Sequence, residues 1–291
     1  VVLFNRLDET LANLIKRHNL KSTLLESDSI TLTCANSLKM ILENNNVKAH
    51  LNRDLDKIIN KIRMIKSTEE INKMRISQEI TEKAFNNTLN KIRPGITESE
   101  ISLDLEFQMK KLGAERVAFD LIVVSGKNSS LPHGVPSNKP IEKGDFVTID
   151  MGAVYEGYRS DMTRTVAVSN VSDEQKHIYN IVLDAQMKAI ESIKPGIICS
   201  EIDKIARDII YSSGYEGYFG HSTGHSIGIE EHENPSFSRS CRSILEPGMI
   251  MTVEPGIYLP NKFGVRIEDM ILVNESGYEN LTTIDKQLIV L

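Results

Sequence analysis

The feature that most restricts the fold of this chain is an internal repeat. "IRPGITESEI" (Ile92 to Ile101) recurs as "IKPGIICSEI" (Ile193 to Ile202), and in each copy helical periodicity precedes and follows it, ending at Gly113 and Gly214. A Pro-Gly turn leading into a Ser- or Thr-capped helix is common punctuation. The second pairing makes coincidence a poor account: "IEKGDFVTIDMG" (Ile141 to Gly152) aligns with "LEPGMIMTVEPG" (Leu245 to Gly256), setting Asp150 on Glu254, Thr148 on Thr252 and Gly152 on Gly256. Each strand pattern thus ends on an acid. The return arms carry a further pair, Asp161 in "SDMTRTVAV" and Glu268 in "GVRIEDM". A duplicated helix-plus-hairpin unit packs its halves about a pseudo-two-fold axis, because each sheet needs a partner for its apolar face. Four carboxylates are then expected to converge at the centre.

The first hairpin, Lys143 to Val168, shows why acids there matter. Strand side chains alternate, so Asp150 and Asp161, if opposite, point from one face at cross-strand distance, ~5 Å. Two ionised carboxylates in a core repel and lose hydration, at several kcal/mol, unless a cation or protons relieve them. The plainer reading is that one Asp ends a strand and the other faces solvent. The repeated acids weigh against it.

Between the hairpins, "GHSTGHSIGIEEHENP" (Gly220 to Pro235) sets His221, His225 and His232 among small residues; His133 lies in "LPHG". Four carboxylates with imidazole form an oxygen-rich, thiolate-free donor set suited to Mn, Co, Fe or Zn. Such a set can hold two ions ~3.5–4 Å apart and make hydroxide available near neutral pH, which is hydrolytic chemistry. Neighbouring histidines are suited to stabilise an oxyanion or relay a proton.

The earlier chain reads as a separate unit. A helical stripe at Leu7, Leu11, Leu14 and Ile15 is followed by strand-like "STLLESDSITL" and "VKAHLNR" flanking the helical "NSLKMILENNN". This predicts a small α/β domain over residues 1–66. At Ser67 "STEE" caps a long amphipathic helix and opens a second domain, residues 67–291. The formal charge of -6 and the lack of a Lys/Arg block argue against a nucleic-acid partner. Cys34, Cys199 and Cys241 form no CxxC pair, which fits a reducing compartment and offers no thiolate metal site. No apolar run reaches ~18 residues and no leader pattern is present, so a cytoplasmic protein without a membrane span is expected.

The motifs "LPHG", "TIDMGAVYEGYRSDMTRT", "GHSTGHSIGIEEHE", "EPGMIMTVEPGIY" and "GVRIED" resemble the pita-bread metallopeptidases, a family of Xaa-Pro aminopeptidases, prolidases and methionyl aminopeptidases. The resemblance implies an α+β pita-bread fold, a homodimer, and proline-containing peptides as substrate. It implies Asp150, Asp161, His225, Glu254 and Glu268 as ligands of two divalent ions, Mn foremost, with Co, Zn and Fe as alternatives. Asp161 and Glu268 would bridge, and Glu254 would also move the proton. His133, His221 and His232 match histidines that bind substrate and stabilise the intermediate, and Arg266 is expected to partner a carboxylate. Two positions depart from the family's glycines, Ser222 and Ser226, and are expected to crowd their loop. Residues 1–66, with "IRMIKSTEEI", resemble the second half of the amino-terminal domain of the prolidase and Xaa-Pro aminopeptidase branch.

Within that branch, dipeptidases often place an arginine shortly after the histidine matching His232; here Ser236 stands in its place and Arg239 follows. The expected function is therefore an Xaa-Pro aminopeptidase, with Xaa-Pro dipeptidase as the alternative. A metal-free creatinase-like hydrolase and a catalytically weak peptide-binding module of the same fold are more distant rivals, since the ligand set is complete.

Overall fold

The computed structural model describes residues 6 to 291, and its contacts divide the chain into two compact units after Arg63. The first contains α1 (Leu7–His18), β1 (Ser22–Leu24), α2 (Leu32–Asn44), β2 (Lys48–His50) and most of α3 (Asp54–Met64). In α1 acidic Asp8 and Glu9 open the helix and Lys16, Arg17 and His18 close it, complementing the helix dipole. Strands β1 and β2 pair in parallel, which requires a crossover, and α2 supplies it. Ile15, Leu42 and Val47 make a small core, and the buried Asp56 carboxylate fastens the loop before α2 by accepting the Ser27 and Asp28 amides. The division falls three residues before the one expected at Lys66. The Lys66 amide donates to the Gly248 carbonyl and its ammonium to Ser226, so Lys66 is part of the second unit.

The second unit opens with α4 (Thr68–Leu89) and α5 (Glu98–Lys111), both started by reciprocal capping boxes, Ser67 with Glu70 and Thr97 with Glu100. Strands β3 (Arg116–Val117), β4 (Ile122–Ser125), β5 (Phe146–Met151), β6 (Ala153–Tyr155), β7 (Tyr158–Arg159) and β8 (Met162–Ala167) complete the first half. The second half repeats the plan with α6 (Asp173–Glu191), α7 (Cys199–Ile210), β9 (Gly224–Ser226), β10 (Glu233–Phe237), β11 (Ile250–Val253), β12 (Gly256–Leu259), β13 (Phe263–Arg266), β14 (Asp269–Asn274) and β15 (Gly277–Asn280). The order β4-β5-β8 in one half matches β9-β11-β14 in the other, and the hairpin β6-β7 matches β12-β13.

Each expected hairpin is thus bent into two sheets. Gly152 marks the bend in the first: a Cβ there would overlap the Ser160 carbonyl oxygen, so only glycine lets β5 turn into β6. Each half buries its own apolar cluster. Phe85, Ile101, Leu105, Val123 and Ile149 pack together in the first, and Ile178, Val182, Ile202, Met251 and Ile271 in the second. At about 1.5–3 kcal/mol per buried aliphatic side chain, these clusters offset polar groups held between the halves. There the contacts are both apolar and polar: the Phe146 and Phe263 rings meet edge-on with centres 5.6 Å apart, and Thr165 donates to the Arg266 carbonyl at 3.0 Å.

Candidate metal centre and active site

Asp150 sits one residue from the end of β5 and pairs with Thr163, not with Asp161. Asp161 precedes β8 and is therefore displaced by two residues along the same face, a diagonal neighbour rather than the opposite one expected. In the second half the register Val253 to Asp269, continued one step, sets Glu254 across from Glu268. Gly224 brings in the imidazole: a Cβ there would overlap the Thr252 carbonyl, and this close approach lays His225 against the β11 end.

All five candidate ligands line one cavity of about 600 Å³, together with His133, His221, His232 and Arg266. Ligand atoms of Asp161, His225 and Glu268 lie within 4.8 Å of one another, and His225 Nε2 is 3.3 Å from Glu254 Oε1 and 3.7 Å from Asp161 Oδ2. His225 Nδ1 faces the Ser226 carbonyl at 3.1 Å. That bond fixes the tautomer with the proton on Nδ1, leaving Nε2 as a bare lone pair toward the carboxylates. Burial lowers the pKa of His225 to about 4, so the ring is neutral.

The carboxylates define the kind of group the site suits. Burial and mutual repulsion push Asp161 and Glu268 well above the carboxylate range, and burial, with Asp150 adding and Arg266 opposing, pushes Glu254 to about 8. Glu268 Oε2 accepts from Thr163 at 2.7 Å and Asp150 Oδ2 from Arg266 at 2.6 Å, yet Glu268 Oε1 and Asp150 Oδ1 are buried without a hydrogen-bond partner. A buried carboxylate oxygen left unpaired costs about 1–3 kcal/mol or more. Two of them beside a bare imidazole nitrogen fit a divalent cation in chemistry and position.

The four histidines differ in their surroundings. His232 is two-thirds exposed, its ring 4.3 Å from that of His225, and His133 is exposed at the rim. His221 has both ring nitrogens engaged, Nδ1 with the Ser222 carbonyl and Nε2 with the Tyr258 hydroxyl, each at 2.8 Å. Burial lowers its pKa to about 3. Tyr258 also accepts from Arg266 at 2.9 Å, so an unbroken chain runs from Asp150 through Arg266 and Tyr258 to His221. The expected pairing of Arg266 with a carboxylate is present.

Several supporting residues carried no signal in the sequence. The buried ion pair of Asp203 and Arg207 holds the His221 loop, Asp203 accepting the Thr223 amide and Arg207 donating to the Phe219 and His221 carbonyls. Glu231 lines the cavity beside His232. Ser226 does not crowd its loop: its hydroxyl meets Lys66 Nζ at 3.0 Å, and Lys66 also pairs with Glu233 at 3.2 Å. Only the i,i+4 spacing of Asp203 and Arg207 was readable as a helix pair.

A family model described as metallopeptidase family M24 matches residues 72–275. An uncharacterized peptidase of Bacillus subtilis, YqhT, is 51% identical over 233 residues, 80% of this chain and 66% of that protein. A Xaa-Pro dipeptidase of Pyrococcus horikoshii is 48% identical over 237 residues, 81% of this chain and 68% of that protein. The chain therefore spans about two thirds of the length of these relatives. Among solved structures, a Xaa-Pro dipeptidase from Bacillus anthracis has a TM-score of 0.94 at 44% identity, with 99% of this chain and 80% of that one covered. An X-Pro aminopeptidase from Thermotoga maritima has a TM-score of 0.92 at 40% identity, with 100% and 81% covered.

Proposed function

We propose that this chain, which belongs to metallopeptidase family M24, hydrolyses the bond between an amino-terminal residue and a following proline, as an Xaa-Pro aminopeptidase. The observation that carries the reading is the set of five ligand side chains around one cavity with two buried carboxylate oxygens left unpartnered. We assign Asp150, Asp161, His225, Glu254 and Glu268 to two divalent ions, manganese foremost, with Asp161 and Glu268 as the shared pair. Divalent metal bound there supplies Lewis acidity, acidifying water and polarising the scissile carbonyl.

The chain's own groups account for the rest. Glu254, whose Oε1 lies 3.3 Å from His225 Nε2 at the cavity wall, accepts a proton from the attacking water and returns it to the prolyl nitrogen as the carbon–nitrogen bond breaks. His133 is exposed and His232 two-thirds exposed where they line the cavity, and both are assigned to the developing oxyanion. His221 is reassigned from substrate contact to positioning, because both of its nitrogens are already bonded within the protein.

Substrate length follows from charge. Arg266 is the one Lys or Arg lining the cavity among the described residues, and it is committed to Asp150. A dipeptide would bring its terminal carboxylate without a paired cation, at a cost of several kcal/mol if buried. The dipeptidase reading is favoured instead by relatives that carry that name. With manganese added, kcat/KM for a matched Xaa-Pro dipeptide and Xaa-Pro-Yaa tripeptide separates the two. A dipeptide preference of about tenfold, ~1.4 kcal/mol, installs the dipeptidase reading, and cleavage of neither rejects both.

The reading includes a cytoplasmic homodimer, checked by fractionation and sedimentation. No helix among the described residues is long and apolar enough to cross a membrane.

A further inference from the structure

Two thiols of the second unit, 42 positions apart in the chain, meet in the fold. Cys199 is buried and opens α7, and Cys241 is partly exposed in the segment that follows β10. After β10 the chain turns, the Cys241 amide donating to the Ser238 carbonyl at 3.1 Å, and then runs antiparallel past the entry of α7. Ile244 bridges to Ile198 there, and the Cys199 amide donates to the Ser243 carbonyl at 2.9 Å. Both side chains pack into the apolar cluster of the second half, and the Cys199 thiol donates to the Cys241 sulfur. The third cysteine, Cys34, is exposed on the first unit.

The two sulfurs have unequal surroundings. Burial, and then the neighbouring Cys241, pushes the Cys199 thiol up to about 12. Cys241 is lowered in spite of its burial, because the Ser243 amide and hydroxyl and the Ser236 amide donate to its sulfur. Arg239 and Arg242 flank it in the chain, and the Arg242 guanidinium folds back onto the Arg239 and Cys241 carbonyls. Amide donors and nearby guanidinium groups stabilise a thiolate, and partial exposure makes it reactive. The shared proton therefore belongs to Cys199, and the nucleophile is Cys241.

We infer that Cys241 and Cys199 form a hydroperoxide-reactive dithiol, Cys241 attacking and Cys199 resolving, which closes to a disulfide between the first turn of α7 and the segment after β10. The inference lies outside the peptidase reading and does not depend on it. The Cys241 thiolate attacks an oxygen of the hydroperoxide; the oxygen–oxygen bond breaks, water or an alcohol leaves, and a sulfenic acid remains. The Cys199 sulfur then attacks the Cys241 sulfur, the sulfur–sulfur bond forms, and the displaced hydroxyl leaves as water with the Cys199 proton. The two thiols are oxidised by two electrons and the peroxide is reduced by two. A small dithiol reverses the bond by exchange. Helix α7 also carries Asp203 and Arg207, which hold the His221 loop, and Ser236 of β10 stands across from His225, so the disulfide ties together two elements that frame the metal centre.

The test exposes the purified full chain, carrying Cys34→Ser to remove the exposed thiol, to a small molar excess of hydrogen peroxide, and reads thiol titration and intact mass. Both remaining thiols are expected to disappear with the loss of two hydrogen atoms from a single chain, and dithiothreitol is expected to return both. Adding Cys199→Ser removes the resolving thiol, so a sulfenic acid is expected to persist on Cys241 and to be captured by dimedone. Adding Cys241→Ser instead is expected to leave Cys199 unmodified. Two thiols still free after peroxide, a disulfide between chains, a sulfinic acid in place of the disulfide, or a dimedone adduct on Cys199 overturns the inference.

Discussion

Arg266 donates to Asp150 Oδ2 at 2.6 Å, and this ion pair leaves Asp150 Oδ1 buried without a hydrogen-bond partner. The guanidinium holds one oxygen so that the other faces the cavity. It is itself fixed by Thr163, Pro132 and Tyr258, at 2.9 to 3.1 Å.

Replacing Arg266 with methionine is therefore expected to loosen the carboxylate and weaken apparent metal affinity roughly 10–100-fold, the usual effect of losing a group that orients a ligand. Calorimetric titration with manganese reads this directly. Wild-type affinity in a folded variant would remove Arg266 from the ligand-orienting role.

Asp161→Ala is expected to lose metal and activity together. Asp161 stands within 4.8 Å of the His225 and Glu268 ligand atoms, and we assign it to both ions. Elemental analysis of the purified variant, together with turnover, decides the matter; two retained equivalents with near-normal turnover would contradict the assignment. By contrast, His232→Ala and His133→Ala are expected to keep metal and lose kcat by roughly 10²-fold or more. A change confined to KM would make them ground-state binders.

The buried carboxylates give the metal-free protein a pH dependence of unusual sign. Glu254 is raised from 4.5 to about 8, and Asp161 and Glu268 are also raised, so the native state holds protons that the unfolded chain releases. Stability is then fully present below the ordinary carboxylate pKa and is lost as pH rises toward 8. Melting of the metal-free protein between pH 5 and 8 is expected to show Tm falling by several degrees, at about 2–4 °C per kcal/mol. Added manganese should abolish or reverse the slope. A metal-free Tm that rises across this range would mean that the carboxylates are ionised without a cation.

Lys66 and Glu233 form an ion pair with side chains 2% and 5% exposed, and Glu233 also accepts the Ile229 and Glu230 amides of the loop leading to His232. Lys66→Met removes a cation from a buried carboxylate, and a loss of about 3 kcal/mol in unfolding free energy is expected. Urea denaturation measures it, and the double change Lys66→Met, Glu233→Leu should recover part of the loss. A variant as stable as wild type would show the pair to be hydrated.

The repeat, the strand-ending acids and the helix caps at Ser67 and Thr97 could be read from the chain because each rests on local spacing: a period of two or 3.6, or a side chain reaching three residues on. The likeness of the motifs to the pita-bread family, and with it the α+β fold, was legible for the same reason. What the chain alone left open is set by contacts between its halves. Whether Asp161 stands opposite Asp150 or diagonal to it is set by the hairpin's register, which pairs Asp150 with Thr163 and runs unshifted through the bend at Gly152. Arg266 and Asp150 meet across 116 positions of chain, and Lys66 and Ser226 across 160. No periodicity encodes such pairs; packing of one apolar cluster against the other fixes them. The same holds for His221, which the sequence presents as one more histidine in a glycine-bounded loop. Only the tertiary structure brings Tyr258 to its second nitrogen and separates it from His133 and His232, whose rings remain open to the cavity.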